Sequence, residues 1–258
     1  MRRHSNRAIQ IASRVKKRIP PRLLNSTLLR FPALYRLGLV NYESNLDAAA
    51  VEVLLDELER AFDLPGDIVE CGVSRGGGSV LMARRVRRAG VAKKIYACDS
   101  FEGFDRAELA RERSAGLSAS SDDAFTSTSL DYVRAKLRAL DLDDIVVPVP
   151  GYFQDTLAAL DVEPAFAFVD CDLRDSVVYC AETLWPRLPP GGRMVFDDYL
   201  AGEFPGAKLG IDAFVADHRA EIAGHGLRGS LYCVQKIAAT AGVATDARTV
   251  EDAPGPTP

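Results

Sequence analysis

The stretch DIVECGVSRGGG, residues 67–78, sets the fold class of this chain. Its first five residues are typical of a buried strand, and its glycines allow the backbone to turn tightly and to approach a ligand closely. A helix-like run follows to about Arg88, so the N-terminus of that helix would point at the ligand. The spacing differs from the dinucleotide pattern GxGxxG, because three residues separate Gly72 from Gly76. The alternative interpretation is a mobile loop without a ligand.

Strand-like and helix-like segments alternate after this turn. Further strands are predicted at residues 94–99, 145–149, 165–170, 192–198 and 230–236, and helices at residues 45–62, 130–140, 153–160, 175–188 and 208–223. Alternation of this kind is typical of a parallel sheet that helices cover on both faces. The strands are continuous apolar runs, as such a sheet requires. We therefore predict an α/β fold with a doubly wound, mostly parallel sheet.

The chain divides into three parts by composition. Residues 1–44 form a basic N-terminal arm, residues 45–237 form the α/β domain, and residues 238–258 form a small, polar tail that we expect to be disordered. Apolar residues recur at helical spacing between Ile9 and Ile19. The arm is therefore either solvated and partly ordered, or a helix that binds a membrane surface or a partner.

Composition excludes several classes of protein. A net charge of −4 over 258 residues gives no general signal for nucleic-acid binding. No apolar run approaches the roughly 20 residues that a transmembrane helix needs, and no secretory signal is apparent. The five cysteines include no CxxC pair, so they indicate buried thiols in a reducing compartment and no zinc site. We expect a cytoplasmic protein.

Acidic residues follow most of the predicted strands. Ligands of open α/β sheets bind beyond the carboxyl ends of the strands, where this chain has Glu70, Asp99, Gly151, Asp170 and the pair Asp197-Asp198. Asp99 is placed to hold ribose hydroxyls, as it would be in a dinucleotide enzyme. It therefore indicates a ligand that contains a nucleoside, but it does not identify that ligand. The alternative for Asp99 is a helix N-cap or a surface acid.

The turn after the third predicted strand combines an aromatic residue with an amide. Gly151 is followed by Tyr152, Phe153 and Gln154, which could stack on an adenine and bind its edge. The alternative is that Phe153 belongs to the core and that Asp155 caps the next helix.

Four aspartates follow the fourth and fifth predicted strands, namely Asp170, Asp172, Asp197 and Asp198. If these strands are neighbours, Asp170 and Asp197 lie within a few ångström of each other. Crowded carboxylates repel, which raises their pKa values unless a cation intervenes. A hard divalent ion with oxygen ligands, such as Mg²⁺, resolves the repulsion. The alternative is pairing of these acids with Arg174 or Lys208.

With these motifs, the chain resembles the macrocin O-methyltransferase (TylF-type) family, bacterial enzymes that methylate sugar hydroxyls of macrolide antibiotics. The matching stretches are PGDIVECGVSRGGG (65–78), ACDSFEGF (97–104), GYFQDTL (151–157), FVDCDLRDS (168–176), LPPGGRMVFDDY (188–199) and IDAFVADH (211–218). The resemblance runs from about residue 41 to residue 236. FVDCD and FDDY are also similar to the metal-dependent catechol and caffeoyl-coenzyme A methyltransferases.

The resemblance implies a Rossmann-like class I methyltransferase domain with a seven-stranded sheet and two cofactors, S-adenosyl-L-methionine and Mg²⁺. Glu70 and Gly72 would border the methionine part, Asp99 would hold the ribose, and Ser100 would flank the adenine together with the turn at residues 152–154. With the glycines of the two turns, the expected cofactor-binding residues are Glu70, Gly72, Gly76, Asp99, Ser100, Gly151, Tyr152, Phe153 and Gln154. The expected metal ligands are Asp170, Asp197 and Asp198.

The expected reaction is methyl transfer to a hydroxyl group of a small molecule. Asp170 and Asp172 are the catalytic candidates, with Asp172 as the proton acceptor beside the metal. The chain departs from the family at two places. No histidine lies in residues 107–128, and Arg174 stands where the family pattern DGDLYES has tyrosine. The sugar or polyol acceptor that we expect is therefore implied by the resemblance alone.

Acceptor choice is expected to depend on the N-terminal arm and on residues 105–129, a serine-rich segment without a readable pattern that would act as a lid. A homodimer built partly from the arm is plausible. Three alternatives remain open: a metal-independent methyltransferase, a non-catalytic nucleoside-binding protein, and an NAD-dependent dehydrogenase. The last would require the GxGxxG spacing, which is absent.

Overall fold

The structure is a computed structural model that describes residues 43–238. The basic arm predicted over residues 1–44 and the tail predicted over residues 238–258 lie almost entirely outside the described residues. The α/β domain predicted over residues 45–237 lies within them.

The domain is built on one seven-stranded sheet, which confirms the predicted fold class. Its strands are β1 (Asp67–Cys71), β2 (Ile95–Asp99), β3 (Val146–Pro150), β4 (Pro164–Val169), β5 (Arg193–Phe196), β6 (Ile222–Arg228) and β7 (Leu231–Lys236). The strand order is β3-β2-β1-β4-β5-β7-β6. Strands β1 to β5 are parallel, whereas β7 is antiparallel to both of its neighbours. The order reverses between β1 and β4, where open α/β sheets bind their ligands.

Within residues 43–238, seven helices cover the two faces of the sheet: α1 (Ala48–Glu59), α2 (Gly77–Ala89), α3 (Arg106–Ser114), α4 (Leu130–Ala139), α5 (Phe153–Thr156), α6 (Arg174–Leu184) and α7 (Pro205–Asp217). Two short 3₁₀ turns, Trp185–Arg187 and Arg219–Glu221, follow α6 and α7. None of the helices within residues 43–238 is both long and apolar enough to span a bilayer.

Alternation along β4 explains the two-sided core. Phe166 and Phe168 pack on one face of the sheet with α1, α2 and α4, whereas Ala167 and Val169 pack on the other face with α6 and α7. Side chains of a strand point alternately to opposite faces, so a strand buried on both sides must be apolar at every position. All six residues of β4 are buried. The five cysteines are also buried and free, as predicted.

The helix predicted over residues 208–223 was wrong at its end. It finishes at Asp217, and residues 222–228 form β6, which no sequence pattern had placed. Strand β6 is an edge strand whose residues are mostly exposed, with Gly224 and Gly226 among them. An exposed edge strand needs no apolar alternation, because its backbone pairing with β7 holds it in the sheet.

Residues 105–129, in which the sequence has no readable pattern, contain the helix α3 at residues 106–114. Its buried residues are Glu108, Leu109 and Glu112, only one of which is apolar. Hydrophobic periodicity cannot indicate a helix whose buried face carries carboxylates. The helix begins where the side chain of Asp105 accepts a hydrogen bond from the Glu108 amide at 2.8 Å.

Candidate active site

A cavity of about 550 Å³ lies at the carboxyl ends of the parallel strands. Its volume is within the range of small-molecule and cofactor sites, about 300–1,000 Å³. The predicted site residues that line it are Gly72, Asp99, Ser100, Tyr152, Phe153, Gln154, Asp170, Asp172, Asp197 and Asp198. Three predicted cofactor residues, Glu70, Gly76 and Gly151, are not among the lining residues. The structure therefore brings most of the predicted site together.

At Gly72, in the glycine turn, the backbone leaves no room for a side chain. Its φ is +89°, and a Cβ atom there would lie 1.7 Å from the carbonyl oxygen of Asp170. The Gly72 amide also donates to the Cys98 carbonyl at 3.0 Å. The turn after β1 thus packs directly against the chain that leaves β4, which keeps the glycine turn and Asp170 on adjoining walls of the cavity.

Asp99 holds the glycine turn from the end of β2. Its Oδ2 accepts hydrogen bonds from the amides of Val73, at 2.7 Å, and Ser74, at 2.9 Å. Its Oδ1 accepts one from the Phe101 amide at 2.6 Å. A carboxylate oxygen can accept about two hydrogen bonds, so Oδ1 retains capacity for a ligand hydroxyl. The ribose contact of Asp99 stays a prediction, and its observed role is to fix the turn.

The carbonyl groups of the same turn are held as well. The hydroxyl of Thr128 donates to the Ser74 carbonyl at 2.8 Å, and the ammonium of Lys136 donates to the Arg75 carbonyl at 2.7 Å. Lys136 is fully buried and forms an ion pair with Glu43 at 2.9 Å. Sequence analysis did not identify Thr128 or Lys136, because neither stands in the turn or at a strand end.

Glu70 lies beneath the glycine turn, away from the cavity. It is 1% exposed and accepts a short hydrogen bond from the buried hydroxyl of Ser79, in α2. One of its oxygens would lie 2.3 Å from a Cβ atom at Gly78. Burial raises the pKa of Glu70 to about 8, although the hydrogen bond from Ser79 acts in the opposite direction. The contact with a methionine group that the resemblance implied for Glu70 is untested, and its observed contacts lie within the fold.

The aspartates after β4 and β5 meet as predicted. Oxygen atoms of Asp170, Asp197 and Asp198 all lie within 4.8 Å of one another. Strands β4 and β5 are neighbours in the sheet, with Val169 opposite Phe196, so both chains leave the sheet at the same level. Among the described residues no lysine or arginine forms a salt bridge with these acids; Lys208 instead pairs with Asp212.

Electrostatics at this cluster favour a bound cation. Burial and the carboxylates of Asp197 and Asp198 hold the pKa of Asp170 well above its usual range. Burial likewise raises the pKa of Asp197, and burial together with Asp197 raises the pKa of Asp198 to about 7. The Oδ2 atom of Asp198 is buried and has no hydrogen-bond partner in the structure. Buried polar atoms are normally satisfied, so an unpartnered carboxylate oxygen beside two others is a suitable ligand for a hard cation.

Asp172 lies beside this cluster and lines the cavity. Its pKa is raised well above the usual range by burial and by the carboxylates of Asp198 and Asp197. Asp172 and Asp198 have left-handed backbone conformations, with φ of 62° and 59°. Such a conformation is unusual for residues other than glycine, and it is found preferentially at functional sites.

Three further aromatic side chains of the cavity were not indicated by any sequence pattern. Phe104 contacts Phe125 and Phe204 edge to face, with ring centroids 5.1 Å and 6.1 Å apart, and all three line the cavity. Phe104 belonged to the quoted motif FEGF, whereas Phe125 and Phe204 lie in segments without periodicity. Asn45, near the beginning of the described residues, and Ser230, in the turn before β7, also line the cavity.

Sequence relatives, two Streptomyces proteins among them, match more than half of the chain. A Streptomyces olivaceus protein, "8-demethyl-8-(2,3-dimethoxy-alpha-L-rhamnosyl)-tetracenomycin-C 4'-O-methyltransferase", is 37% identical over 144 residues, which are 53% of this chain and 54% of that protein. The demethyldecarbamoylnovobiocin O-methyltransferase of Streptomyces niveus is 32% identical over 160 residues, 60% of each chain. The chain therefore matches little more than half the length of these relatives.

Solved structures give the same fold. The O-methyltransferase NovP superposes with a TM-score of 0.62 and 27% identity, over 72% of this chain and 79% of NovP. The calicheamicin methyltransferase CalS11 gives a TM-score of 0.57 over 83% of this chain and 91% of its own, and at 20% identity it shows a likeness of fold alone.

The family comparison covers the strands and loops that form the cavity. The model of the family described as macrocin-O-methyltransferase (TylF) matches residues 44–223. This range includes the glycine turn and the three clustered aspartates, so the residues that carried the resemblance lie inside the match. The chain belongs to the macrocin O-methyltransferase (TylF) family.

Proposed function

We propose that this chain is an S-adenosylmethionine-dependent O-methyltransferase that methylates a hydroxyl group of a sugar or another small natural product, with Mg²⁺ at the aspartate cluster. The observation that carries the proposal is that the carboxylates of Asp170, Asp197 and Asp198 converge on a cavity whose adjoining wall is the glycine turn. A methyl donor and a metal-bound acceptor would then be neighbours.

The relatives support the type of reaction and of acceptor. The name of the Streptomyces olivaceus protein describes 4'-O-methylation of a rhamnosyl-tetracenomycin, and that of the Streptomyces niveus protein describes O-methylation of a novobiocin precursor. Family membership adds O-methyl transfer as the shared chemistry. The homodimer and the cytoplasmic location expected from the sequence stay predictions.

The residues around the glycine turn fit S-adenosylmethionine. Gly72 lines the cavity at the glycine turn, and Asp99 lines it with hydrogen-bonding capacity left on Oδ1. Tyr152, Phe153 and Gln154 provide aromatic faces and an amide on the same cavity. These are the groups that a nucleoside with a ribose and an adenine requires.

The aspartate cluster fits Mg²⁺. Its donors are carboxylate oxygens only, which a hard cation prefers, and the unpartnered Oδ2 of Asp198 is one of them. When bound there, Mg²⁺ would supply Lewis acidity that lowers the pKa of an acceptor hydroxyl. The residues that would hold it are Asp170, Asp197 and Asp198.

Asp172 would accept the proton of the acceptor hydroxyl. It lines the cavity beside the aspartate cluster, which places a carboxyl group next to the hydroxyl that a cation held by the cluster would polarise. His218 and His225, the two histidines among the described residues, do not line the cavity. The sulfonium of S-adenosylmethionine supplies an electrophilic methyl group, and the glycine turn and Asp172 would orient donor and acceptor for in-line displacement.

Ligand-dependent thermal unfolding tests the cofactor assignment. We expect S-adenosylhomocysteine at a hundredfold excess over its Kd to stabilise the chain by about 2.7 kcal/mol, or roughly 5–10 °C for a domain of this size. NADH serves as the comparison ligand. A shift with NADH and none with S-adenosylhomocysteine would overturn the proposal in favour of a dehydrogenase.

Replacing Asp197 by asparagine tests the metal assignment, with the exposed Asp161→Asn as the matched control. Without Mg²⁺ we expect Asp197→Asn to stabilise the chain, because it relieves repulsion within the cluster. With Mg²⁺ we expect the variant to lose both the metal-induced rise in Tm and the turnover that wild type and control retain. Turnover of wild type that is unaffected by EDTA would indicate a metal-independent methyltransferase.

A further inference from the structure

Helix α3 carries two buried glutamates, one turn apart, on a single face. Glu108 is 3% exposed and Glu112 is 4% exposed. Residues four apart lie on the same side of a helix, so both carboxylates point in one direction. Carboxylates are seldom fully buried unless they are paired, so their contacts within the fold require an explanation.

Both glutamates accept hydrogen bonds from the first turn of α6. Glu112 Oε1 accepts from the Arg174 amide at 2.9 Å, and Glu108 Oε1 accepts from the Ser176 amide at 2.8 Å. Glu108 Oε2 also accepts from the hydroxyl of Ser176 at 2.8 Å. The N-cap residue of α6, Leu173, provides no side-chain cap. Amides of the first helical turn lack partners within the helix and carry partial positive charge, so these carboxylates replace the missing cap.

The turn that α3 caps begins immediately after the functional aspartates. Asp170 and Asp172 precede Arg174, and the segment between them turns sharply, with a left-handed φ of 62° at Asp172 and a hydrogen bond of 2.6 Å from the Leu173 amide to the Cys171 carbonyl. Such a strained conformation persists only when its surroundings hold it. The position of the first turn of α6 therefore fixes where this segment leaves the cavity.

Glu112 also contacts the chain that follows β5. A Cβ atom at Gly206, in the first turn of α7, would lie 2.4 Å from Glu112 Oε2. That oxygen is buried and has no hydrogen-bond partner. An unsatisfied buried carboxylate oxygen costs stability, so an apolar residue would serve packing better. Glu112 therefore joins α3 to the first turn of α6 and to the first turn of α7.

We propose that Glu108 and Glu112 are positioning residues, which cap α6 from α3 and thereby hold Asp170 and Asp172 in the geometry that methyl transfer needs. The inference rests on the proposed function, since it assigns the capped loop a part in that reaction. It separates two parts of the site. The glycine turn is held by Asp99, Thr128 and Lys136, none of which lies in α3. The aspartate loop depends on α3 for its cap, although Glu108 also lines the cavity. Loss of the cap should therefore lower kcat and leave cofactor affinity unchanged.

Glu108→Ala is the informative variant, and Glu108→Gln is its conservative partner, because the amide can still accept from the Ser176 amide and donate to its hydroxyl. Arg111→Ala is the matched control, since Arg111 lies on the exposed face of α3 and contacts Asp175 only at 3.5 Å. We expect Glu108→Ala to lower kcat about 10- to 100-fold with a Kd for S-adenosylhomocysteine within twofold of wild type. We expect Glu108→Gln to recover most of the rate and Arg111→Ala to match wild type.

Hydrogen exchange gives a readout that needs no activity. We expect amides of residues 170–176 to exchange about tenfold faster in Glu108→Ala than in wild type, while amides of β1 are unchanged. Unchanged exchange in this segment, or a kcat equal to that of wild type, would overturn the inference. If Glu108→Ala does not fold, Glu112→Ala, which removes the acceptor for the Arg174 amide, is measured in the same two assays. Failure of wild type to bind S-adenosylhomocysteine would instead contradict the proposed function, and the exchange experiment would still decide the capping role.

Discussion

Replacing Glu70 by glutamine should change how the stability of the fold depends on pH. Glu70 is 1% exposed, and burial raises its pKa from 4.5 to about 8. Between these values the unfolded chain has released the proton of this carboxyl, whereas the folded chain retains it. Because the folded state binds more protons, the free energy of unfolding falls as pH rises through this window. A shift of about 3.5 pKa units corresponds to about 5 kcal/mol in total.

Most of this loss falls in an accessible range. Linkage places most of it, a few kcal/mol, between pH 5 and pH 8. Glutamine has no proton to release and can keep the hydrogen bond with Ser79, so Glu70→Gln should lose a few kcal/mol less stability than wild type over the same range. The measurement is urea unfolding, followed by circular dichroism at four pH values from 5 to 8. Glu52→Gln, at an exposed position of α1, is the matched control and should follow the wild-type curve.

The sign of the difference makes the test decisive. At pH 8 the variant should be more stable than wild type, although it exchanges a native side chain for a neutral one of similar shape. If the two pH profiles are parallel, Glu70 is ionised in the folded protein, and the reasoning from its burial beneath the glycine turn is refuted.

Three further substitutions test the loop and its supports. Gly72→Ala places a Cβ atom 1.7 Å from a carbonyl oxygen, so urea unfolding should show a loss of about 3 kcal/mol or more; Gly90→Ala, at positive φ with open space around it, should lose only about 1–2 kcal/mol, and equal losses would contradict the steric argument. Lys136→Met breaks a buried ion pair with Glu43 and should lower the free energy of unfolding by about 3–5 kcal/mol. Adding Glu43→Gln to the same chain should restore part of this loss, and a double variant no more stable than Lys136→Met would count against the pair. Asp99→Asn replaces one of the carboxylate oxygens that accept hydrogen bonds from backbone amides by a donor, so calorimetry should show S-adenosylhomocysteine binding weakened about tenfold or more. An unchanged Kd would exclude these hydrogen bonds as a determinant of affinity.

The central sheet and the aspartate cluster could be predicted because local sequence patterns determine them. A strand covered on both faces is apolar at most of its positions, which marks β1, β2 and, at every position, β4 without reference to the rest of the chain. Parallel strands end at one edge, so the residues that follow β4 and β5 had to lie close together once these strands were neighbours. The position of Asp170 beside Asp197 follows from topology.

What could not be predicted depends on contacts between distant segments. The buried face of α3 is recognisable only when the first turn of α6 lies against Glu108 and Glu112. Strand β6 is exposed at the edge of the sheet, so its sequence carries no burial pattern. Glu70 precedes the end of β1 by one residue, and its side chain points toward α2 instead of beyond the strand. Position at a strand end therefore predicts proximity to the site but not the direction of the side chain.

The supports of the glycine turn have a kinetic consequence. Asp99 accepts hydrogen bonds from two amides of the glycine turn, and Thr128 and Lys136 donate to two carbonyl groups of the same turn. The backbone of the turn is therefore held in place before a ligand binds. A ligand that enters a fixed loop does not have to order it, and encounter through the mouth of the cavity then limits the association rate. Substitutions that loosen these supports should shorten the residence time of the bound cofactor. The glycine turn would then control cofactor exchange through the dissociation rate.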